Sequence, residues 1–271
     1  MIAENTFPDG ALLLGNNRLY FQHYALKTFL GSNILAPLTT PSDILDVGCG
    51  EGIWALEMAQ AFPSSRVVGL DRSLLQQFSY HDPSNFLLVT GDILVCLPFA
   101  DTSFDYVHQR CLSPVIPASR WQSLLFELAR VTRPGGWIEV LEYGSKYVSA
   151  GPNTEQFLVW SEKTEALHGF DPLLTRHLEP VFQRAGLQRT QQRIIPVPLG
   201  NWGGPIGHVM SKSIEASIRS VKQRIITSLR VSSQDFDRVL DALPTEWETY
   251  KTTYEFSATY GQRPYAHMAV N

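Results

Sequence analysis

Short runs of almost unbroken apolar residues alternate with longer segments whose apolar residues recur every three or four positions. The first kind reads as strands buried on both faces of a parallel sheet, the second as amphipathic helices. Residues 16–31, NNRLYFQHYALKTFLG, place Leu19, Gln22/His23, Leu26 and Phe29/Leu30 on one helical face, with Asn16 or Asn17 as cap and Gly31 as stop. DILDVG and RVVGLD are strands around a helix at 53–62, and NFLLVTGD (85–92) and FDYVHQR (104–110) are strands three and four. A helix over 117–132 carries Leu124, Leu125, Leu128 and Val131 on one face and stops at RPGG, where Pro134 cannot continue it and Gly135 and Gly136 permit positive φ. WIEVLEY (137–143) is the fifth strand.

Beyond it the pattern changes. Helices are predicted over 157–169 and 173–185, a sixth strand over 187–199, helices over 206–229 and 233–250, and a final β run over 252–264. Strands alternating with helices imply an α/β fold, a doubly wound and mostly parallel sheet of seven strands with right-handed crossovers. The expected organisation is a single domain over 1–271: a helical cover (1–40), a core (41–145), and a substrate-side half (146–271) with helical insertions near 150–170 and 200–250. Those insertions serve equally well as a lid or as stabilising decoration.

Composition narrows the function. With 44% hydrophobic and 18% charged residues the chain is ordinary for a globular protein, and a net charge of −4 offers no basic field for nucleic acid or an anionic membrane. No apolar run approaches the roughly 20 residues of a membrane span, and the early three-leucine run is too short for an export signal. Cys49, Cys96 and Cys111 lack metal-ligand spacing and read as reduced packing residues, which suits a cytoplasmic location. No metal site is expected; self-association is left open.

The stretch from Asp43 to Asp71 carries the chemistry. A strand, a turn with Gly48, Gly50 and Gly52, a helix, and a second strand ending in an aspartate begin a nucleotide-binding βαβ unit. A dinucleotide fingerprint G-x-G-x-x-G would need glycine at 53, where Ile53 stands. Asp71 ends the next strand about twenty residues after Gly50, where a carboxylate can accept both ribose hydroxyls. A purely structural turn and an ordinary strand-end aspartate are the competing readings. No Walker-type GK[ST] follows, so NTP hydrolysis is disfavoured.

LDVGCGEG, GLDRS, GDI and RPGGWIEVLE, in that order, resemble the motifs of class I S-adenosylmethionine-dependent methyltransferases. NRLYFQH, FDYVHQRCL and the terminal YGQRP are similar to fungal secondary-metabolism regulator-type and bacterial natural-product methyltransferases, which share an R-x-x-x-QH helix, a VHQR strand end and a YGRKP tail. Gln262–Arg263 departs from the usual basic pair of that tail.

The resemblance implies S-adenosylmethionine as cofactor and S-adenosylhomocysteine as product. It places the methionine part on the backbone of Gly48, Cys49, Gly50 and Gly52, with Asp46 oriented toward its amino group. Asp71, followed by Arg72, would take the ribose, and Asp92 and Ile93 the adenine. Gln109 and Arg110 would border the sulfonium and the acceptor. Arg18, Gln22 and His23 would lie on a helix closing over the cofactor, Arg18 addressing its carboxylate. Independently, the carboxyl ends of parallel strands line the ligand crevice in open α/β sheets, and Asp46, Asp71, Asp92 and Gln109/Arg110 stand at such ends.

Methyl transfer from a sulfonium needs a base only when the acceptor arrives protonated; His23, His208 and Glu142 are the candidates, Glu142 also reading as a loop-holding residue. No [DN]PP[YFW] stretch occurs, DPSN at Asp82 lacking the second proline and the aromatic, and no basic residue lies in 93–104. A small hydrophobic metabolite therefore fits better than nucleic acid. Phe157, Trp160, Leu167, Phe170, Trp202, Ile206 and Met210 could wall its pocket or simply pack a core. Three readings stay open: a small-molecule methyltransferase, a cyclase or rearrangement enzyme retaining the cofactor, and a cofactor-binding regulator acting through protein partners.

Overall fold

The computed structural model describes residues 18–73 and 83–265. The cap at Asn16 or Asn17, the side chain of Arg18 and the aspartate of DPSN lie outside the described residues. The strands are β1 Asp43–Val47, β2 Arg66–Asp71, β3 Phe86–Thr90, β4 Phe104–Arg110, β5 Thr132–Val148, β6 Gln188–Pro198 and β7 Thr253–Gln262. The α-helices are α1 Arg18–Leu30, α2 Ile53–Ala61, α3 Trp121–Val131, α4 Pro152–Leu167, α5 Glu179–Arg184, α6 Gly204–Leu229 and α7 Ser233–Tyr250. One seven-stranded sheet runs in the order β3-β2-β1-β4-β5-β7-β6, and the pairs β2/β3, β1/β2, β1/β4 and β4/β5 are parallel. This is the doubly wound sheet expected from the sequence. Successive strands run outward in one direction from β1 and in the other from β4, so a crevice opens at the carboxyl ends where these two meet.

The unbroken apolar runs exist because both faces of these strands are covered. Ile44, Val67 and Tyr106 pack with Trp54, Ala55 and Met58 of α2, while Leu45, Val47, Val68 and Val107 pack with Leu124, Leu125 and Leu128 of α3 and Val181 and Phe182 of α5. Alternate residues serve opposite faces, as the strand period of two requires.

The chain divides into two compact units. One holds Ser32–Ser145, His168–Ile195 and the described part of Phe256–Asn271, hence most of the sheet with α2, α3 and α5. The other gathers the described part of Met1–Gly31 with Lys146–Leu167 and Pro196–Glu255, and its helices α1, α4, α6 and α7 pack on one another.

Four segments depart from the sequence expectation, the first being the helix predicted over 157–169, which begins five residues earlier as α4, Pro152–Leu167. The helix predicted over 173–185 is a 3₁₀ turn, Leu174–His177, followed by α5. Pro180 has no N–H, and a continuous helix would leave the Arg176 carbonyl without its partner. The helix expected from 117 begins at Trp121, after a 3₁₀ turn at Ala118–Arg120. RPGG, expected as a stop before the fifth strand, is part of β5: the Gly135 N–H donates to the Arg263 carbonyl at 2.8 Å and the Arg263 N–H to the Gly136 carbonyl at 2.9 Å. Gly135 has φ +83°, and the β4/β5 register shifts between Phe104 and Tyr106. The unusual Gln262 is 7% exposed and donates to the Gly135 carbonyl at 2.8 Å. A neutral amide meets that buried carbonyl without the cost of a buried charge. Among the described residues no helix is long and apolar enough to cross a membrane.

In the helical unit, Glu246 of α7 holds the start of α4. Its Oε1 accepts from the Thr154 N–H at 2.7 Å and hydroxyl at 2.5 Å, its Oε2 from the Asn153 N–H and side-chain amide, both at 2.9 Å. Burial opposes its charge, but these hydrogen bonds prevail and hold its pKa below the ordinary glutamate value. Glu246→Ala should therefore cost about 2–4 kcal/mol in denaturant unfolding. In the unmodified protein the contribution of Glu246 should be complete above its unfolded pKa of about 4.3 and be lost as pH falls through the lower folded value. An unchanged unfolding midpoint in the variant would show that α4 is held by other means.

Candidate cofactor site

The sheet brings six of the sequence-predicted elements to its carboxyl edge: Asp46, the glycine turn, Asp71, Asp92, Gln109/Arg110 and Glu142. The turn is drawn onto the end of β2, where the Gly48 and Cys49 N–H groups donate to the Leu70 carbonyl at 2.7 and 2.9 Å. Gly48, Gly50 and Gly52 have φ of +70°, +55° and +73°. The first Gly also meets a close neighbour: a Cβ there would run into the side chain of Leu112. Position 69 is glycine for a similar reason, since a Cβ would sit 2.9 Å from the Cys49 sulfur. Burial, then the charges of Asp46 and Asp71, push the Cys49 thiol far above its usual pKa and keep it protonated.

Asp71 ties the two strand ends together. Its Oδ2 accepts from the Gly50 N–H at 2.9 Å and its Oδ1 from the Ser73 N–H at 3.0 Å. Each carboxylate oxygen retains a lone pair, so two hydroxyls of a ribose can still be accepted. Arg72 beside it is exposed. Asp92 accepts at Oδ1 from the Leu94 N–H at 2.8 Å, an Asx turn that fixes the loop after β3, and Ile93 packs against the core.

Asp46 is partnered by a buried histidine. It pairs in register with His108 of β4, and its Oδ1 lies 2.8 Å from His108 Nδ1, with both residues buried. The imidazole stacks on Trp54 at 3.8 Å and 8° between planes. His108 thus fills the role of a satisfied core histidine, and Asp46 is oriented by it.

Gln109 and Glu142 also form a buried pair. The Gln109 amide donates to Glu142 Oε1 at 2.9 Å, and the Leu112 and Ser113 N–H groups donate to Oε1 at 3.0 Å and Oε2 at 2.8 Å. Both side chains are fully buried, so Gln109 does not face the crevice as it stands; Arg110 next to it is half-buried. Burial raises the pKa of Glu142 although its donors pull the other way. The remaining predicted residues belong to the helical unit. Gln22 and His23 are buried on α1, and His208 on α6 is half-buried with Nδ1 2.8 Å from Asn201 Oδ1.

The sheet unit also holds a cavity of about 590 Å³. That space lies at the amino edge, lined by Asp105, Trp137, Arg189, Tyr260 and their neighbours, and it contains none of the predicted site residues. Among the described residues no three His, Cys, Asp or Glu side chains cluster to hold a metal ion.

Residues 44–136, which contain the turn, Asp71, Asp92 and Gln109, match the family of methyltransferase domains. Over these residues the chain carries a methyltransferase domain. A phosphoethanolamine N-methyltransferase of Haemonchus contortus solved with S-adenosyl-L-methionine shares the fold at 16% identity and TM-score 0.51, over 93% of this chain and 55% of that one. A turn stripped of side chains, a strand-end aspartate with spare acceptor capacity and a second strand-end aspartate fit S-adenosylmethionine. The chain is 26% identical to the N-methyltransferase gliN of Aspergillus fumigatus over 91% of its own length and 93% of that protein. It is 28% identical to the secondary metabolism regulator laeA of Monascus pilosus over 62% of its length and 47% of the regulator. The Haemonchus contortus enzyme solved with S-adenosylhomocysteine shares the fold at 18% identity and TM-score 0.54, over 93% of this chain and 56% of that one.

Gly48→Ala should expose how closely the methyltransferase domain is built around its turn. Strain at positive φ costs about 1–3 kcal/mol, and Leu112 must also move. We expect a lowered melting temperature and at least tenfold weaker S-adenosylmethionine binding by calorimetry; unaltered affinity would mean that the turn is only structural.

Proposed function

We propose that this protein transfers the methyl group of S-adenosylmethionine to a small natural product, with nitrogen as the accepting atom. The observation that carries the proposal is the extent of the relationship. The likeness to gliN, named an N-methyltransferase, runs nearly end to end in both chains, whereas the likeness to the regulator stops at 62% of this chain. A relationship that includes the helices outside the cofactor-binding half favours an enzyme that shares an acceptor chemistry over a regulator that shares only the cofactor.

Bound S-adenosylmethionine supplies a methyl on a positively charged sulfur. The chain has to hold an electron-rich atom in line with the S–CH₃ bond and keep water away, and such proximity can contribute several kcal/mol. In this reading the backbone from Gly48 to Gly52 takes the methionine part, Asp71 the ribose, and Asp92 and Ile93 the adenine. Arg110 borders the acceptor. A neutral amine attacks without prior deprotonation and sheds its proton afterwards. Glu142 is not free to receive it, since three donors already occupy its carboxylate.

The test is titration calorimetry with S-adenosylmethionine and, separately, NADH, followed by mass spectrometry of hydrophobic amines, amides and phenols incubated with the loaded protein. Micromolar binding of the former alone and a one-methyl mass gain on nitrogen are expected. Asp71→Ala should weaken the cofactor by about 1.5–3 kcal/mol through loss of charge-assisted hydrogen bonds. Binding of NADH instead would overturn the reading, and gain on phenols alone would move the acceptor to oxygen.

A further inference from the structure

We propose that Glu142 is a positioning residue that acts through Leu112. Its carboxylate fixes the loop after β4 so that the Leu112 side chain forms the wall of the cofactor crevice against Gly48. The proposal rests on the cofactor reading above and assigns a function to two residues that take no part in it.

Three observations converge. Glu142 is fully buried in β5, one residue past the end of its pairing with β4, and spends both oxygens on the end of β4 and the segment that follows it: the Gln109 amide at 2.9 Å, the Leu112 N–H at 3.0 Å and the Ser113 N–H at 2.8 Å. A carboxylate is costly to bury, and one that is retained with this many donors fixes the position of what donates to it. Between the donors stands Cys111 with φ +57°, a left-handed conformation that a side chain rarely adopts and that surrounding bonds must hold. Its N–H donates to the Leu141 carbonyl at 2.9 Å, so the loop is gripped from β5 by both backbone and side chain. The outcome of this grip is the placement of Leu112, whose methyl groups occupy the space a Cβ at Gly48 would need.

Leu112 therefore sets how closely a ligand can approach the first glycine of the turn, and it does so from a loop held at Leu112 and Ser113 by one carboxylate. Two acceptor oxygens are needed at this position, because the amide of a glutamine would turn an N–H₂ toward at least one of the backbone N–H groups.

The experiment is a double-mutant cycle on S-adenosylmethionine affinity, measured by calorimetry with the full chain, alongside melting temperatures. Leu112→Ala and Glu142→Gln should each weaken binding about tenfold, a factor worth ~1.4 kcal/mol. The double variant should be little weaker than either single one, because Glu142 works through Leu112. Full additivity would overturn the proposal, as would a Glu142→Gln protein that melts earlier yet binds with unchanged affinity. Should Glu142→Gln fail to fold, Leu112→Ala alone decides: it keeps every bond to the carboxylate, and undiminished binding would overturn the proposal. Failure of the unsubstituted protein to bind the cofactor would instead bring down the reading on which the proposal rests.

Discussion

Carboxylates that accept backbone N–H groups from distant loops hold this protein's working edge in place. A parallel sheet satisfies its own peptide groups but leaves the connections at its ends to find partners elsewhere. Here side chains supply them. Asp71 takes Gly50 and Ser73, Glu142 takes Leu112 and Ser113, and Glu139 takes Leu35 and Ala36 at 2.8 Å each. Asp105 does the same at the other edge for Ser42 and Asp43. Each is a charge-assisted bond, stronger and more directional than apolar contact, and each fixes a loop relative to a strand already located by pairing. The apolar layers decide that the sheet forms; the carboxylates decide where its loops stop.

Sequence legibility follows the same division. The strands and helices were readable because burial imposes a period, two or near 3.6, over every run of adequate length. Helices α6 and α7 were placed within two residues because a long amphipathic stripe with clear punctuation has few alternatives. Two of the errors fell where a single backbone group overrules a pattern: the missing N–H of Pro180, which splits an apolar stripe into a 3₁₀ turn and a short helix, and the pairing of RPGG with the end of β7, which extends β5 by a segment that composition marks as a turn.

At the site, residue types at strand ends were legible and their partners were not. Nothing in GLDRS indicates that Asp71 binds Gly50 across 21 positions, and nothing in VHQR indicates that His108 would orient Asp46 across 62. The one local hint was glycine itself. Three glycines in alternate positions mark a turn approached closely, and for Gly48 the approaching group is Leu112, an ordinary residue in an unremarked loop.

The contrast between Glu142 and Glu246 shows why a buried acid in a crevice need not be a base. Both carboxylates are surrounded by donors, yet burial leaves the first with a raised pKa and the hydrogen bonds leave the second with a lowered one. A general base must present a lone pair to the proton it takes. Glu142 presents its lone pairs to Gln109, Leu112 and Ser113, so its elevated pKa records the cost of desolvation and not a readiness to exchange protons. Such an arrangement suits a reaction whose leaving group is already activated. The chain gains more from holding the walls of its crevice still than from placing a base within it.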